Sequence, residues 1–438
     1  MCEKMYRLIK EGETEVFIPL DNDPDIPSAS ASVFYNPAME MNRDINVAVT
    51  SVYAKKLIKR KGFPLSQITY ADAFSASGIR GLRIAKEIGL SVVLNDWKKE
   101  AVSLIQKNID HNQLNPIENN NFEINNFDND IESNNFDNDI EINNFDSDIE
   151  INNFDNDIIK NNISKNAATA TCMSANKLLF GQKFAIVDID PFGTPAPFLD
   201  SAVSSASFFL GVTATDTAPL CGAHLKSGMR KYGAVPLNNE FHSEMGLRIL
   251  IGSIARAASK FDKGVRPLFS HSTRHYVRVY AEVLNGAGNA DKTLKEIGFI
   301  AWCPVCRNLE TKNGLAVFMN EECPFCQNKR KMAGPLWLGS FKDVDFCNEV
   351  IEELQVLPFH KKNEAIKLLT LCREEADIPF FYDQHILCEK LKISAPPIEP
   401  FLNDLRENGF IATRTHFSGT SFKTDAPMDV ILKILSAQ

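Results

Sequence analysis

The chain has 438 residues, 44% of them hydrophobic, with a formal net charge of -9 and ten cysteines. At about 100 to 200 residues per domain it is too long for one compact core, and no apolar run approaches the roughly 18 to 20 residues that span a bilayer, since Ile249 to Ala255 is stopped by Arg256. The negative charge is local: thirteen acids and one lysine between Glu118 and Asn162 bring that stretch to -12 and leave +3 for the rest, so net charge neither demands nor excludes a nucleic-acid partner.

Met1 to Arg7 is charged and lacks the apolar core of a signal peptide, so the chain is expected in the cytoplasm with no membrane partner. From Ile68 to Phe74 the pattern is a strand, followed by a small-residue loop, Ser75 to Gly81, and a helix opening at Leu82. A second strand, Ser91 to Asp96, ends in an acid and precedes a helix from Lys99 to Asn112. Asp96 lies twenty-four residues after Asp72, near the offset of roughly 20 at which an acid grips ribose hydroxyls in dinucleotide-type folds. Gly78 and Gly81 are expected to let the backbone approach a ligand, and Asp72 to meet a cationic amino group through water or the turn. The fuller G-x-G-x-x-G that cradles a pyrophosphate is missing. S-adenosylmethionine has no phosphate, and a looser loop with Arg43 or Arg80 for its carboxylate suits it.

Residues Asn125 to Lys160 carry four copies of a nine-residue repeat close to NNFDNDIEI. A helix turns about 100° per residue, so Phe127, Phe136, Phe145 and Phe154 cannot form one stripe. Calcium-binding β-rolls need a glycine pair in each turn, and this segment has none. It reads as a disordered or weakly β-forming insertion, about residues 118–163, between two halves of one domain.

After it come a strand (Ala167 to Cys172), a short helix (Ser174 to Leu179) and the buried run Phe184 to Val187, leading into Asp188-Ile189-Asp190-Pro191-Phe192-Gly193. Read alone, D-P is a common turn signal. Read chemically, a carboxylate, a carbonyl and a ring in succession suit an exocyclic amine on a nucleobase. The amine lone pair is delocalised, so the group must be oriented and relieved of a proton. Asp190 can accept one N–H, the Pro191 carbonyl the other, and Phe192 can stack on the base. The cofactor loop, Asp96 and Asp190 then lie at carboxyl ends of parallel strands, where open α/β sheets bind ligands.

Basic and aromatic residues follow: Lys226, Arg230, Lys231 and Tyr232, then His271, Arg274, His275, Tyr276, Arg278 and Tyr280. On a strand the last set places Arg274, Tyr276, Arg278 and Tyr280 on one side, as either an edge strand or an RNA contact. Cys303-Pro-Val-Cys306 and Cys323-Pro-Phe-Cys326, sixteen residues apart, read as a structural tetrahedral Zn2+ site with four thiolates. Lys329, Arg330 and Lys331 stand beside it, placed for phosphates. From Lys361 the pattern is three helices (Glu364 to Glu375, Gln384 to Leu391, Ile398 to Glu407) and two strands (Ile411 to His416, Ser421 to Lys423), a winged helix in which Arg414, His416 and Lys423 are candidate nucleic-acid contacts.

Taken together, Val33-Phe34-Tyr35-Asn36-Pro37 with Met41-Asn42-Arg43-Asp44, Asp72 to Arg83, Asp190 to Pro195, Gly211 to Asp216 and Leu220-Cys221-Gly222 resemble the archaeal and eukaryotic tRNA (guanine-26-N2)-dimethyltransferases, from about Val16 to Gly339 without the insertion. The resemblance implies an α/β fold: a Rossmann-like class I S-adenosylmethionine-dependent methyltransferase domain (1–260, with an N-terminal extension). A smaller α+β C-terminal region (261–438) is expected to bind tRNA, with the zinc knuckle at 303–326 and the winged-helix-like module at 361–438. It implies Asp190 as catalytic carboxylate, Phe34 and Phe192 as walls of the base pocket, and Arg43, Arg80 and Asp96 as cofactor contacts. The family often carries an acid where this chain has Ser174, so the adenine contact is expected from the Ser174 hydroxyl or from backbone groups at Ala175. The implied reaction is methylation of guanine N2 in tRNA, with S-adenosyl-L-methionine as donor and no obligate protein partner. Two other readings stand beside it: an amino-methyltransferase for adenine or cytosine in DNA, which usually carries two prolines before the aromatic, and a non-catalytic zinc and winged-helix nucleic-acid binder.

Overall fold

The computed structural model describes residues 6–20, 32–117, 167–273 and 275–437. The acidic repeat and Arg274 lie outside the described residues. Strand β1 (Tyr6–Glu11) pairs with β2 (Thr14–Pro19) in an N-terminal hairpin. Seven strands then form the main sheet: β3 (Thr69–Asp72), β4 (Ser91–Asp96), β5 (Ala167–Cys172), β6 (Phe184–Ile189), β7 (Ala206–Ala214), β8 (Lys263–Thr273) and β9 (Tyr276–Asn285). Their order is β5-β4-β3-β6-β7-β9-β8, parallel through β7 and antiparallel at β9 and β8.

Both faces of the sheet are covered, as near-continuous apolar strands require. Alternation sorts the residues: Ala71, Val93, Val187 and Val212 join one core with helices Ala175–Gly181, Leu199–Ser205 and His242–Ser259. Tyr70, Val92, Leu94 and Ile186 join the other, with helices Glu40–Lys61, Lys99–His111, Val344–Val356 and Lys362–Glu374. Where the insertion departs and returns, the ends already meet, since Ala168 N donates to Asn115 O at 2.9 Å.

The sheet is not complete at residue 260. Strands β8 and β9 add to its β7 edge, and the helices Val344–Val356 and Lys362–Glu374 cover it, so the layered body draws on both halves of the chain. Strands β10 (Ile297–Trp302), β11 (Leu309–Asn313) and β12 (Lys331–Trp337) form a small antiparallel sheet that holds the cysteine pairs at its end. The last module contains β13 (Tyr382–Asp383), helices Gln384–Leu391 and Ile398–Glu407, β14 (Ala412–Arg414), β15 (Ser421–Thr424) and a closing helix, Met428–Ala437. The three helices and two strands read from the sequence are present. However, the first helix packs into the sheet's core through Ala365, Leu369 and Cys372, while the module's own core runs from Leu387 to Leu435 and takes in the C-terminal helix. Among the described residues, no helix is long and apolar enough to cross a membrane.

Candidate active site

The carboxyl ends of β3, β4, β5 and β6 converge on one edge. The loop after β3 turns through left-handed conformations at Ala76 (φ 47°) and Gly78 (φ 83°), where a side chain at 78 would be strained. Gly81 has a different purpose from the one expected. A Cβ there would stand 2.9 Å from Leu94, so this glycine lets the helix lie close on β4. Asp96 ties its own strand to the loop, accepting from Ala76 N at 3.1 Å and Lys98 N at 2.9 Å. Asp72 is buried and accepts from Gly81 N at 3.1 Å. Burial pushes its carboxyl up to about 7, against the pull of Arg80 and with the help of the Asp188 and Asp190 charges.

Asn95, which belongs to none of the motifs above, is the staple of this edge. Its amide donates to Ala73 O (3.2 Å) and Met173 O (3.1 Å) and accepts from Thr171 Oγ1 (3.0 Å), joining three strand ends. The available signal was an amide immediately before the acid at the end of an apolar strand. Ser174 sits exposed at the start of helix Ala175–Gly181 without capping it, and Ala175 is buried next to it.

Asp190 follows β6 and forms an ion pair with Arg80, whose Nη2 also donates to Asn42 Oδ1 at 2.8 Å. The Arg80 Nη1 atom is buried without a partner among the described residues. Such an orphaned cationic donor fits an incoming carboxylate. Of the carboxylates at the ends of β3 and β6, Asp72 and Asp188 are 1% exposed, whereas the Asp190 side chain is 18% exposed. Its loop is anchored: Gly193 N donates to Thr215 Oγ1 (2.8 Å), Thr194 Oγ1 to Tyr232 Oη (2.9 Å), and Tyr232 Oη to Asp216 (2.6 Å). Phe34 and Phe192 are brought together, with ring centroids 4.5 Å apart and planes at 81°. They touch edge to face and do not stand as parallel walls. A base held between two rings needs about 7 Å, twice the stacking rise of about 3.4 Å.

Arg43 is not open to a ligand in the way expected. Its Nε and Nη2 bind Glu11 at 2.7 and 2.5 Å, Nη2 also donates to Asn36 O at 3.0 Å, and Tyr35 Oη donates to the same Glu11 at 2.7 Å. Arg43 thus clamps the N-terminal hairpin to the loop that carries Phe34.

Several basic residues expected on the surface are inside. Strand β9 is interior, and Tyr276, Arg278 and Tyr280 are buried, as is His271 on β8. Lys423 and His416 are also buried, held by Glu244 and Glu375, and Arg330 is taken up by Glu310 and the Asn320 carbonyl. Tyr232 belongs to the loop network above. Lys226, Arg230, Lys329 and Lys331 are exposed.

The four thiols of Cys303, Cys306, Cys323 and Cys326 lie within 4.8 Å of one another, with two pairs at 3.4 Å. Zn–S bonds of about 2.3 Å define a tetrahedron with edges of about 3.8 Å, so the set suits that ion. The two turns match: Arg307 N donates to Cys303 O and Gln327 N to Cys323 O, each from a left-handed residue.

The model of a family described as N2,N2-dimethylguanosine tRNA methyltransferase matches residues 12–149 and 129–436. Proteins of Methanosarcina mazei and Methanosarcina acetivorans, each a tRNA (guanine(26)-N(2))-dimethyltransferase, are 49% identical to this chain over 98% of it and 98% of their own length. The structure of Trm1 from Pyrococcus horikoshii, a complex with S-adenosyl-L-methionine, superposes with a TM-score of 0.76 at 33% identity, covering 98% of this chain and 99% of that one. The chain therefore belongs to the N2,N2-dimethylguanosine tRNA methyltransferase family.

Proposed function

We propose that this chain transfers methyl groups from S-adenosylmethionine to the exocyclic N2 of guanine in tRNA, twice at position 26, the reaction that its relatives are named for. The observation that carries the reading is Asp190. It is the one carboxylate of the three at the ends of β3 and β6 whose side chain reaches solvent, and it lies in one loop with Phe192, whose ring touches Phe34.

Arg80 would hold the donor's carboxylate through its unfilled Nη1, Asp96 the ribose hydroxyls, and Ser174 with the Ala175 backbone the adenine. Asp72 and the turn at Gly78 would face the amino group. Arg43 retains only those guanidinium atoms that Glu11 and Asn36 do not occupy. When bound, S-adenosylmethionine supplies a methyl group made electrophilic by its sulfonium. Asp190 accepts a hydrogen bond from one N2–H and the Pro191 carbonyl accepts the other, which directs the nitrogen lone pair. Each methyl gained costs N2 one proton, which leaves through Asp190 to water. For the second transfer, the amine rotates its remaining N–H onto Asp190. Phe192, 63% exposed, swings from Phe34 to admit the base.

The cysteine cluster is read as a structural Zn2+ site, supported by the sulfur spacing. The exposed Lys329 and Lys331 beside it, and Lys226 and Arg230 on helix Leu225–Tyr232, are read as phosphate contacts for tRNA. The enzyme then works in the cytoplasm, with its substrate. The test is mass spectrometry of nucleosides after incubating a tRNA transcript, or duplex DNA, with the protein and donor. Dimethylguanosine is expected from the transcript, disappearing when its guanine 26 is replaced. Methylated adenine or cytosine in the duplex, or no incorporation at all, contradicts the reading.

A further inference from the structure

Beneath the Asp190–Arg80 pair lies a second pair with the same construction. Asp188, two residues before Asp190, is bound by both terminal nitrogens of Arg278, one of them Nη1 to Oδ1 at 3.0 Å, and by Tyr70 Oη at 2.9 Å. Arg278 comes from β9, opposite Thr213 of β7, and its guanidinium crosses that strand to reach β6. Gly211 is what permits the crossing, because a Cβ there would stand 2.6 Å from Arg278 Nη2 and 2.8 Å from Asp188 Oδ2. Helix Glu40–Lys61 serves both pairs from one face, with asparagines one turn apart. Asn42 Oδ1 accepts from Arg80 at 2.8 Å and Asn46 Oδ1 from Arg278 at 2.9 Å. Thr213 Oγ1 accepts from Arg278 Nη1 at 2.7 Å, and Asn46 donates to Tyr70 Oη at 3.0 Å.

The result is two stacked tiers, each with a carboxylate from the β6 line, a guanidinium and an asparagine. The upper tier reaches solvent, and the lower one is buried, with Asp188 1% and Arg278 0% exposed. A buried ion pair is weak evidence for stability, because well-packed apolar residues often serve as well. Its geometric effect is specific: Asp188 is fixed by three hydrogen bonds from Arg278 and Tyr70, and the backbone from it to Asp190 spans one residue.

We propose that Asp188 and Arg278, with Gly211 making room between them, are positioning residues that aim the Asp190 carboxylate at the substrate amine. The inference rests on the role proposed above for Asp190. Misaim of this sort impairs the chemical step, and most of all the second methylation, where the amine must be re-presented with one N–H left.

The test compares full-length wild type with Asp188→Asn/Arg278→Met, which removes both charges at similar volume, and with Gly211→Ala, which keeps every charge and displaces the pair. For each, kcat and KM on tRNA transcript, donor affinity by calorimetry, melting temperature and the ratio of mono- to dimethylguanosine are measured. The expected result is kcat lower by about 10- to 100-fold, KM and donor affinity essentially unchanged, and product shifted to the monomethyl form. Should the double variant not fold, Gly211→Ala decides. Wild-type kcat and product ratio in a folded variant, or a loss confined to donor affinity, overturns the inference. Asp190→Ala, measured alongside, separates the two failures: if it still transfers methyl groups, the role of Asp190 itself is wrong, whereas if it is dead while the pair variants are active, only the positioning inference falls.

Discussion

Asp72, Asp188 and Asp190 show how surroundings divide labour among like side chains. Arg278, then Arg80, hold the Asp188 carboxyl below the ordinary range in spite of its burial, while burial outweighs the pull of Arg80 on Asp72 and pushes that carboxyl up to about 7. A carboxyl whose folded value is raised stabilises the fold most when both states are protonated, and that contribution is lost as pH rises towards the folded value. The wild type should therefore lose stability between about pH 4 and pH 7 on account of Asp72, a loss that Asp72→Asn removes. Thermal melts of the two proteins across that range check it, and parallel curves contradict it. If Phe192 stacks on the base as proposed, Phe192→Ala deletes a face worth about 1 to 3 kcal/mol per base, so kcat/KM on tRNA should fall by about 10- to 100-fold, with donor affinity retained in calorimetry. Asp190 and Phe192 were legible in sequence because their chemistry is contiguous. Arg278 was not, since alternation along a strand tells which residues share a face but not whether another strand lies beyond it. Its partner, Asp188, is ninety residues away.

At the scale of elements, local pattern served well where the signal is local. The strand Ala167–Cys172, the strand Ser91–Asp96 and the helices Gln384–Leu391 and Ile398–Glu407 lie where periodicity and caps put them. The N-terminal hairpin went unread, and its value is tertiary: Glu11 faces Arg43, Tyr35 and Arg83 across the fold. The helix expected over Glu364 to Glu375 forms as Lys362–Glu374 and packs into the main sheet's core, because an apolar stripe does not name its partner. The cysteine knuckles carry the most compact prediction. Elemental analysis of purified protein should find one zinc per chain, lost in Cys303→Ser/Cys326→Ser along with stability of the β10–β12 unit, while donor binding at the carboxyl edge of the main sheet, a separate sheet, survives. Absence of zinc in protein purified without chelators contradicts the assignment.

For the whole molecule, the terminal module is fastened to the catalytic body by buried charge. Lys423 on β15 meets Glu244 at 3.0 Å and Glu375 at 2.8 Å, His416 meets Glu375 at 2.8 Å, and all four side chains are inaccessible to solvent. Burial opposes it, yet Lys423 and His416 hold the Glu375 carboxyl down at about 2. Removing one member of such a set strands the others, at a cost of about 3 to 5 kcal/mol. Lys423→Met should show that loss in chemical denaturation, against a change within about 0.5 kcal/mol for the exposed Lys329→Met; equal effects would mean that the network holds nothing. From the sequence, Lys423 and His416 look like contacts for nucleic acid, since nothing local reveals that Glu244 of helix His242–Ser259 and Glu375, just past helix Lys362–Glu374, will meet them. The roles proposed for donor and base contacts meet at one edge of one sheet, around Asp190. The most direct test is therefore methyl transfer to tRNA transcript by Asp190→Ala with donor binding measured by calorimetry on the same preparation. Transfer abolished with donor affinity nearly intact is the predicted result, and retained transfer, or equal loss of both, contradicts the account.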